Sequence, residues 1–182
     1  MPEAREFDIE FDEKSGHVKK VTAGDNSQYK DYIAAHNHAI DTSRVAVEKL
    51  IPVAEKTRVV IALENVGNSL WVKPAIFKHF VASFANPWVK AYFDIANHVR
   101  YAPPEEWIRE LGKLTVRCHV KDFKLNPDGR GGASIREGSV NWPQVRKALD
   151  DVGYSGWMTI EGSEKLSLEE RSRRLDLIIA GK

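Results

Sequence analysis

Between residues 29 and 55 the apolar positions Tyr32, Ile33, Ala35, Ile40, Val45, Val47, Leu50 and Ile51 fall mostly at helical spacing, interrupted around Asp41 and Thr42. This predicts one long or broken helix. Residues 58–63 (RVVIAL) form a continuous β-branched run too short for a helix, the pattern of a strand covered on both faces. It ends in Glu64 and Asn65. The same unit of helix, short apolar strand and polar residue then recurs three times without sequence identity between copies. A helix over 74–84 precedes a strand over 89–93 that ends at Asp94. A helix from Pro104 to Gly112 precedes a strand over 114–120 with His119 near its end. A helix over 142–152, stopped by Gly153, precedes a strand over 157–160 that ends at Glu161. A last amphipathic helix covers 167–179, with Ser167 and Glu170 in capping-box spacing.

Alternating strands and helices imply a parallel sheet, and right-handed crossovers bring every strand's carboxyl end to one side. The expected fold class is therefore α/β. Glu64, Asp94, His119 and Glu161 each close a successive strand, where barrel and open α/β enzymes carry their chemistry. Strand alternation puts Val60, Ala62 and Glu64 on one face, likewise Tyr92 and Asp94, Arg117, His119 and Lys121, and Thr159 and Glu161. Ile61, Leu63, Phe93, Val116, Val120 and Ile160 face the helices.

Charge narrows the partners. With 27 basic and 26 acidic side chains in 182 residues the net charge is +1, and basic clusters such as Arg171, Arg173 and Arg174 are interleaved with acids. Neither nucleic acid nor a membrane is an expected partner. No apolar stretch approaches the roughly 20 residues that cross a bilayer, and residues 1–11 carry four acids where a signal peptide needs a basic and then an apolar run. The expected location is cytoplasmic. A single cysteine, Cys118, rules out an internal disulfide and a Cys-based zinc site.

Three carboxylates and one imidazole converging on a point would repel and desolvate one another unless a cation sat between them. A divalent metal held by Glu64, Asp94, His119 and Glu161 resolves the conflict. Oxygen-rich ligation without a thiolate favours manganese, magnesium or cobalt, with zinc and iron left open. The parity of Lys121 matches His119 and makes it a candidate for contact with substrate oxygen. Trp71 is the best candidate for a substrate-facing indole, whereas Trp107 and Trp142 open helices and are expected in the core. The GRGG run at 129–132, with Lys124 and Arg130, is read as a flexible polar loop.

The segments ALENVGN (62–68), YFDIANHVRY (92–101), CHVKDF (118–123), REGSVNW (136–142) and GYSGWMTIEG (153–162) resemble the sugar phosphate isomerase/epimerase members of the xylose-isomerase-like barrel superfamily. The resemblance spans 29–179. It implies a (β/α)8 TIM-barrel fold in which Glu64, Asp94, His119 and Glu161 match the metal ligands and Glu64 and Glu161 also match the acid/base pair. The position three after the aspartate, usually a substrate-binding histidine in ketose 3-epimerases, is Asn97 here, which leans towards sugar-phosphate or uncharacterised members of the family.

A complete barrel takes about 250 residues, and these motifs match strands five to eight. Residues 29–182 are therefore expected to be the carboxyl-terminal half of a barrel. Residues 1–28 are expected to form a hairpin or strand-four remnant, since FDIEF and HVKKV alternate around a turn at 14–16. Such a half should form a homo-oligomer or recruit a missing amino-terminal half. The activity this implies is metal-dependent isomerisation or epimerisation of a sugar or sugar phosphate through an enediolate. The alternatives are an inosose dehydratase-like lyase on the same ligands and an inactive half barrel that serves as an assembly partner.

Overall fold

The residues that begin and end each apolar stretch decide where the chain turns. In the computed structural model, which describes residues 8–126 and 131–182, a short hairpin comes first: β1 (Glu10–Phe11) pairs antiparallel with β2 (Val18–Lys20). Its turn is closed by Asp12, which accepts the N–H groups of Lys14 and Ser15. Asn37 grips both backbone groups of Val18, and Ile9, Val18 and Val21 join the main core.

The long periodic stretch is one continuous helix, α1 (Lys30–Thr57). Of the two readings, one long or a broken helix, the first holds: the chain runs unbroken through Asp41 and Thr42, where the Thr42 hydroxyl donates to the His38 carbonyl and so finds a partner inside the helix. Arg58, in the left-handed conformation at φ 58°, ends α1 with its N–H on the Ala54 carbonyl. Strand β3 (Ile61–Glu64) therefore starts later than the RVVIAL run suggests, and Val59 stays 62% exposed.

Prolines open α2 (Pro74–Ala82) and, after β4 (Val89–Asp94), α3 (Pro104–Leu111), at positions where a missing N–H costs nothing. A 3₁₀ turn leads into β5 (Thr115–Val120). The short strands β6 (Asp122–Phe123) and β7 (Gly132–Ala133) pair antiparallel. Helix α4 (Trp142–Asp151) is capped by the Asn141 side chain on the Gln144 N–H and is followed by Gly153 at φ 64°. Strand β8 (Trp157–Ile160) precedes α5 (Leu168–Ile179), whose Ser167 cap accepts the Glu170 N–H as its spacing predicts.

The four longer strands form one parallel sheet in the order β3-β4-β5-β8. Neighbours in sequence are neighbours in the sheet, so each connection carries a helix across one face. Phe93, Val120, Trp107, Ile108, Val145 and Leu149 fill the space between sheet and helices. The opposite face is open: Val60, Arg117, Trp157 and Thr159 are exposed there, Trp157 by 73%. The RVVIAL run has the pattern of a strand covered on both faces, but β3 is only part-buried, because among the described residues no strand continues the sheet beyond β3 or β8. No helix among the described residues is long and apolar enough to cross a membrane.

One buried side chain organises the loop above β5. Asp122 accepts the N–H groups of Phe123, Arg136, Gly138 and Val140 and the indole N–H of Trp142, at 2.8–3.2 Å. Its removal strands five donors, each worth about 1–3 kcal/mol if left without a partner. Asp122→Ala is expected to lower unfolding stability by at least about 3 kcal/mol in urea titrations; a loss below about 1 kcal/mol would show that solvent replaces the carboxylate freely.

Candidate metal centre

Parallel pairing sets the strand ends side by side. Asp94 stands opposite His119 in the β4–β5 register and Glu64 opposite Tyr92 in the β3–β4 register, while the Glu161 N–H bonds to the Val120 carbonyl just past β8. With a period of two, Glu64, Asp94, His119 and Glu161 all emerge on the open face, away from the helices. One donor atom from each lies within 4.8 Å of the others. His119 is central, its Nδ1 lying 2.7 Å from Glu161 Oε2, 3.3 Å from Glu64 Oε1 and 3.8 Å from Asp94 Oδ2. The ring of Tyr92 packs at 4.1 Å from the imidazole ring, which fixes its tilt.

Two features of the cluster fit a cation. Asp94 Oδ2 and Glu161 Oε2 are buried oxygens that no donor engages with hydrogen-bond geometry, although the second is close to His119. Polar atoms that converge without bonding one another are suited to share an ion. Three carboxylates with one imidazole and no thiolate also make a donor set for a divalent metal.

Lys121 supplies the positive charge otherwise present. Its Nζ donates to Glu161 Oε1 at 2.8 Å and to Asn97 Oδ1 at 3.2 Å, and lies 3.8 Å from Asp94 Oδ2. Burial opposes its charge, but Glu161, Asp94 and Glu64 outweigh that and push its pKa up. Burial likewise pushes the Glu161 carboxyl up, and the hydrogen bond and charge of Lys121 with the His119 charge pull it below its usual range. Asp94 is fully enclosed. Burial raises its pKa to about 6 against the pull of Lys121 and of the Asn97 and Ala96 N–H groups.

Asn97 and Lys121 thus stand beside the four ligand candidates. Trp71 does not. It is 5% exposed and packs on Phe77 and Phe80 of α2, because the segment after β3 turns its indole into the helix layer, so its expected substrate-facing role is withdrawn. Trp107 and Trp142 are core residues. Glu161 and Lys121 also line a cavity of about 490 Å³, together with Lys124, Ser134, Ser163 and Lys165, among others. Gly129 and Arg130 of the GRGG run lie outside the described residues.

Two buried polar residues had no assigned part in the pattern. Asn65 grips the backbone of Asp94, and His98, fully buried, bonds to the Asn65 carboxamide. The available signal was an amide next to a strand-terminal acid, in ALENVGN.

A family profile described as xylose isomerase-like TIM barrel matches residues 9–176. An uncharacterized protein of Methanocaldococcus jannaschii is 25% identical over 126 residues, 67% of this chain and 43% of that protein. A D-tagatose 3-epimerase-like protein superposes with a TM-score of 0.68 at 20% identity over 85% of this chain and 57% of its own. The IOLI protein with a binding zinc atom does so with a TM-score of 0.65 at 20% identity over 80% of this chain and 56% of its own. The chain spans about half the length of the proteins it matches, and these likenesses establish an α/β fold of the TIM-barrel type.

The cluster generates a thermodynamic expectation. A divalent ion at 100 times its Kd should stabilise the fold by about 2.7 kcal/mol, a rise of roughly 5–10 °C in Tm, reversed by a chelator. Uptake should weaken as pH falls through about 6, where a proton competes for Asp94. Calorimetry with manganese between pH 5 and 7.5 checks both. An unmoved Tm would show that the cluster takes up no ion, and an affinity flat with pH would exclude Asp94 as a ligand.

Proposed function

The chain belongs to the xylose isomerase-like TIM-barrel family, and from that premise we propose that it contributes the metal-binding half of an isomerase or epimerase acting on a sugar or sugar phosphate. The observation that carries this reading is the convergence of four donor atoms within 4.8 Å beside an open cavity. The likeness in fold to a D-tagatose 3-epimerase-like protein and to the zinc-bound IOLI protein supports the same chemistry.

A bound divalent ion, Mn2+ by preference for this oxygen-rich donor set, would supply the positive charge that polarises a ketose carbonyl and its neighbouring hydroxyl. The chain's own groups do the proton work. Glu64 and Glu161 are the two part-exposed carboxylates, with side chains 30% and 40% exposed, and so can meet a substrate carbon. One removes the proton next to the carbonyl, leaving the two electrons of the broken C–H bond in the enediolate. The other returns a proton to the opposite face for epimerisation, or the first returns it to the neighbouring carbon for isomerisation. Lys121 keeps Glu161 ionised and, with Asn97, presents polar groups to substrate oxygens.

The exposed face of the sheet, with Trp157 73% exposed, favours a second reading, in which the chain acts as an assembly partner and turnover needs further barrel strands. Light scattering should find the isolated chain associated rather than as a sharp monomer.

The decisive experiment is solvent deuterium incorporation into a panel of ketoses and ketose phosphates at saturating manganese. Glu161→Gln keeps the shape but removes the basic oxygen, so exchange should fall about 10²- to 10⁴-fold. Glu64→Gln should behave similarly, while Asn97→Ala should chiefly raise KM. Exchange by Glu161→Gln at the parent rate would reduce Glu161 to a ligand and end the two-carboxylate mechanism; a parent that exchanges nothing would favour the assembly-partner reading.

A further inference from the structure

Asp94 is the one ligand candidate with no exposed surface, and its surroundings leave it a single direction. Oδ1 accepts the N–H groups of Ala96 and Asn97 at 2.8 and 2.7 Å. Only Oδ2 is left for the cluster. Such a carboxylate is aimed by its backbone, and that backbone is held from outside its own strand. The last main-chain rung between β3 and β4 is Glu64 with Tyr92. Beyond it the carboxamide of Asn65 does what a further rung would do: Oδ1 accepts the Asp94 N–H at 2.6 Å, and Nδ2 donates to the Asp94 carbonyl at 2.9 Å.

The amide is itself oriented. Asn65 is fully buried, and Nδ2 also lies 3.1 Å from His98 Nδ1. Since Nδ2 can only donate, Nδ1 must be the bare nitrogen of a neutral imidazole with its proton on Nε2. Burial keeps His98 uncharged, holding its pKa down to about 3. The His98 ring is wedged beside Trp107 and Tyr101, with centroids 5.0 and 5.7 Å away. The chain of contacts therefore runs from the helix-packing core through His98 and Asn65 to Asp94. Because Asn65 follows Glu64 directly, the same link sets the spacing of two ligand candidates on neighbouring strands.

We infer that Asn65, oriented by His98, is a positioning residue that fixes Asp94 for metal binding and ties it to Glu64. The inference rests on the metal-site reading above, and its test separates the two. Manganese affinity is measured by calorimetry, and the geometry of the bound ion by the visible spectrum of the cobalt-loaded chain, for the parent, Asn65→Ala and His98→Phe. Asn65→Ala should weaken manganese binding by about 10- to 100-fold, as losses of groups that orient ligands do. At saturating cobalt its spectrum should differ from the parent's. His98→Phe keeps a ring in the same packing and removes the acceptor for the amide, together with an Nε2 group that has no hydrogen-bond partner. It should shift affinity and spectrum in the same direction by less, and it decides the matter if Asn65→Ala does not fold.

A folded Asn65→Ala with lowered Tm but parental affinity and spectrum would overturn the inference, since a merely structural residue behaves that way. So would a His98→Phe variant identical to the parent in both. A parent chain that takes up neither metal would overturn the metal-site reading and this inference together.

Discussion

Three carboxylates held at the ends of neighbouring parallel strands repel one another, and much of the molecule is arranged around that conflict. At about 4 Å, in surroundings of intermediate dielectric, each like-charged pair costs on the order of 4 kcal/mol before solvent screens it. Separation is not open to these groups, because the sheet register fixes Asp94 beside His119 and Glu64 beside Tyr92. The remaining remedies are positive charge, protonation and an ion. Lys121 provides the first, bonded to Glu161 and close to Asp94. The raised pKa of buried Asp94 shows the second within reach near neutrality. Two oxygens without hydrogen-bond partners leave room for the third.

That constraint explains why so much of the site was legible in the sequence. A strand's direction and period are written in RVVIAL, VKAYFD and TVRCHV, and a charged residue closing three apolar strands and an imidazole near the end of a fourth have few tolerable surroundings. Proline and glycine marked the helix limits because each acts on its own backbone. The side chains that failed to follow the pattern depend on contacts between distant segments. Trp71 enters the helix layer because Phe77 and Phe80 receive it, and nothing in its neighbours says which way the loop after β3 turns. At Thr42 the pattern left a long and a broken helix open, and the helix runs on with the hydroxyl bonded to a carbonyl one turn back. Asn65 and Asp122 were visible as letters, but their importance comes from backbone groups 14–29 residues away.

The two polar hubs divide the support of the site. Asn65 works between β3 and β4 and serves Asp94. Asp122 works between the end of β5 and the segment leading into α4, and holds the loop that borders the cavity on the Lys121 side. Both satisfy main-chain donors where strands diverge past the cluster. There the splayed chain ends can no longer bond to one another, and an unpaired buried amide is costly. The open mouth that a substrate needs and the loss of ladder bonds are the same geometric event. Buried amide and carboxylate side chains are what make it tolerable.

Burial then sorts the ligand candidates by what they can do. A general base must reach a substrate carbon and change its charge during the reaction, and both demands favour a carboxylate with one side towards solvent. Asp94 meets neither: it is enclosed, its Oδ1 is bound to two N–H groups, and its backbone is clamped. Glu64 and Glu161 keep part of their side chains exposed, and Glu161 has a lysine to hold its charge. In the proposed chemistry the rigid acid would therefore anchor the ion and the two freer acids would exchange protons. This assignment follows from accessibility and hydrogen bonding alone, and it gives Asp94 and Glu161 different parts although both are carboxylates at strand ends.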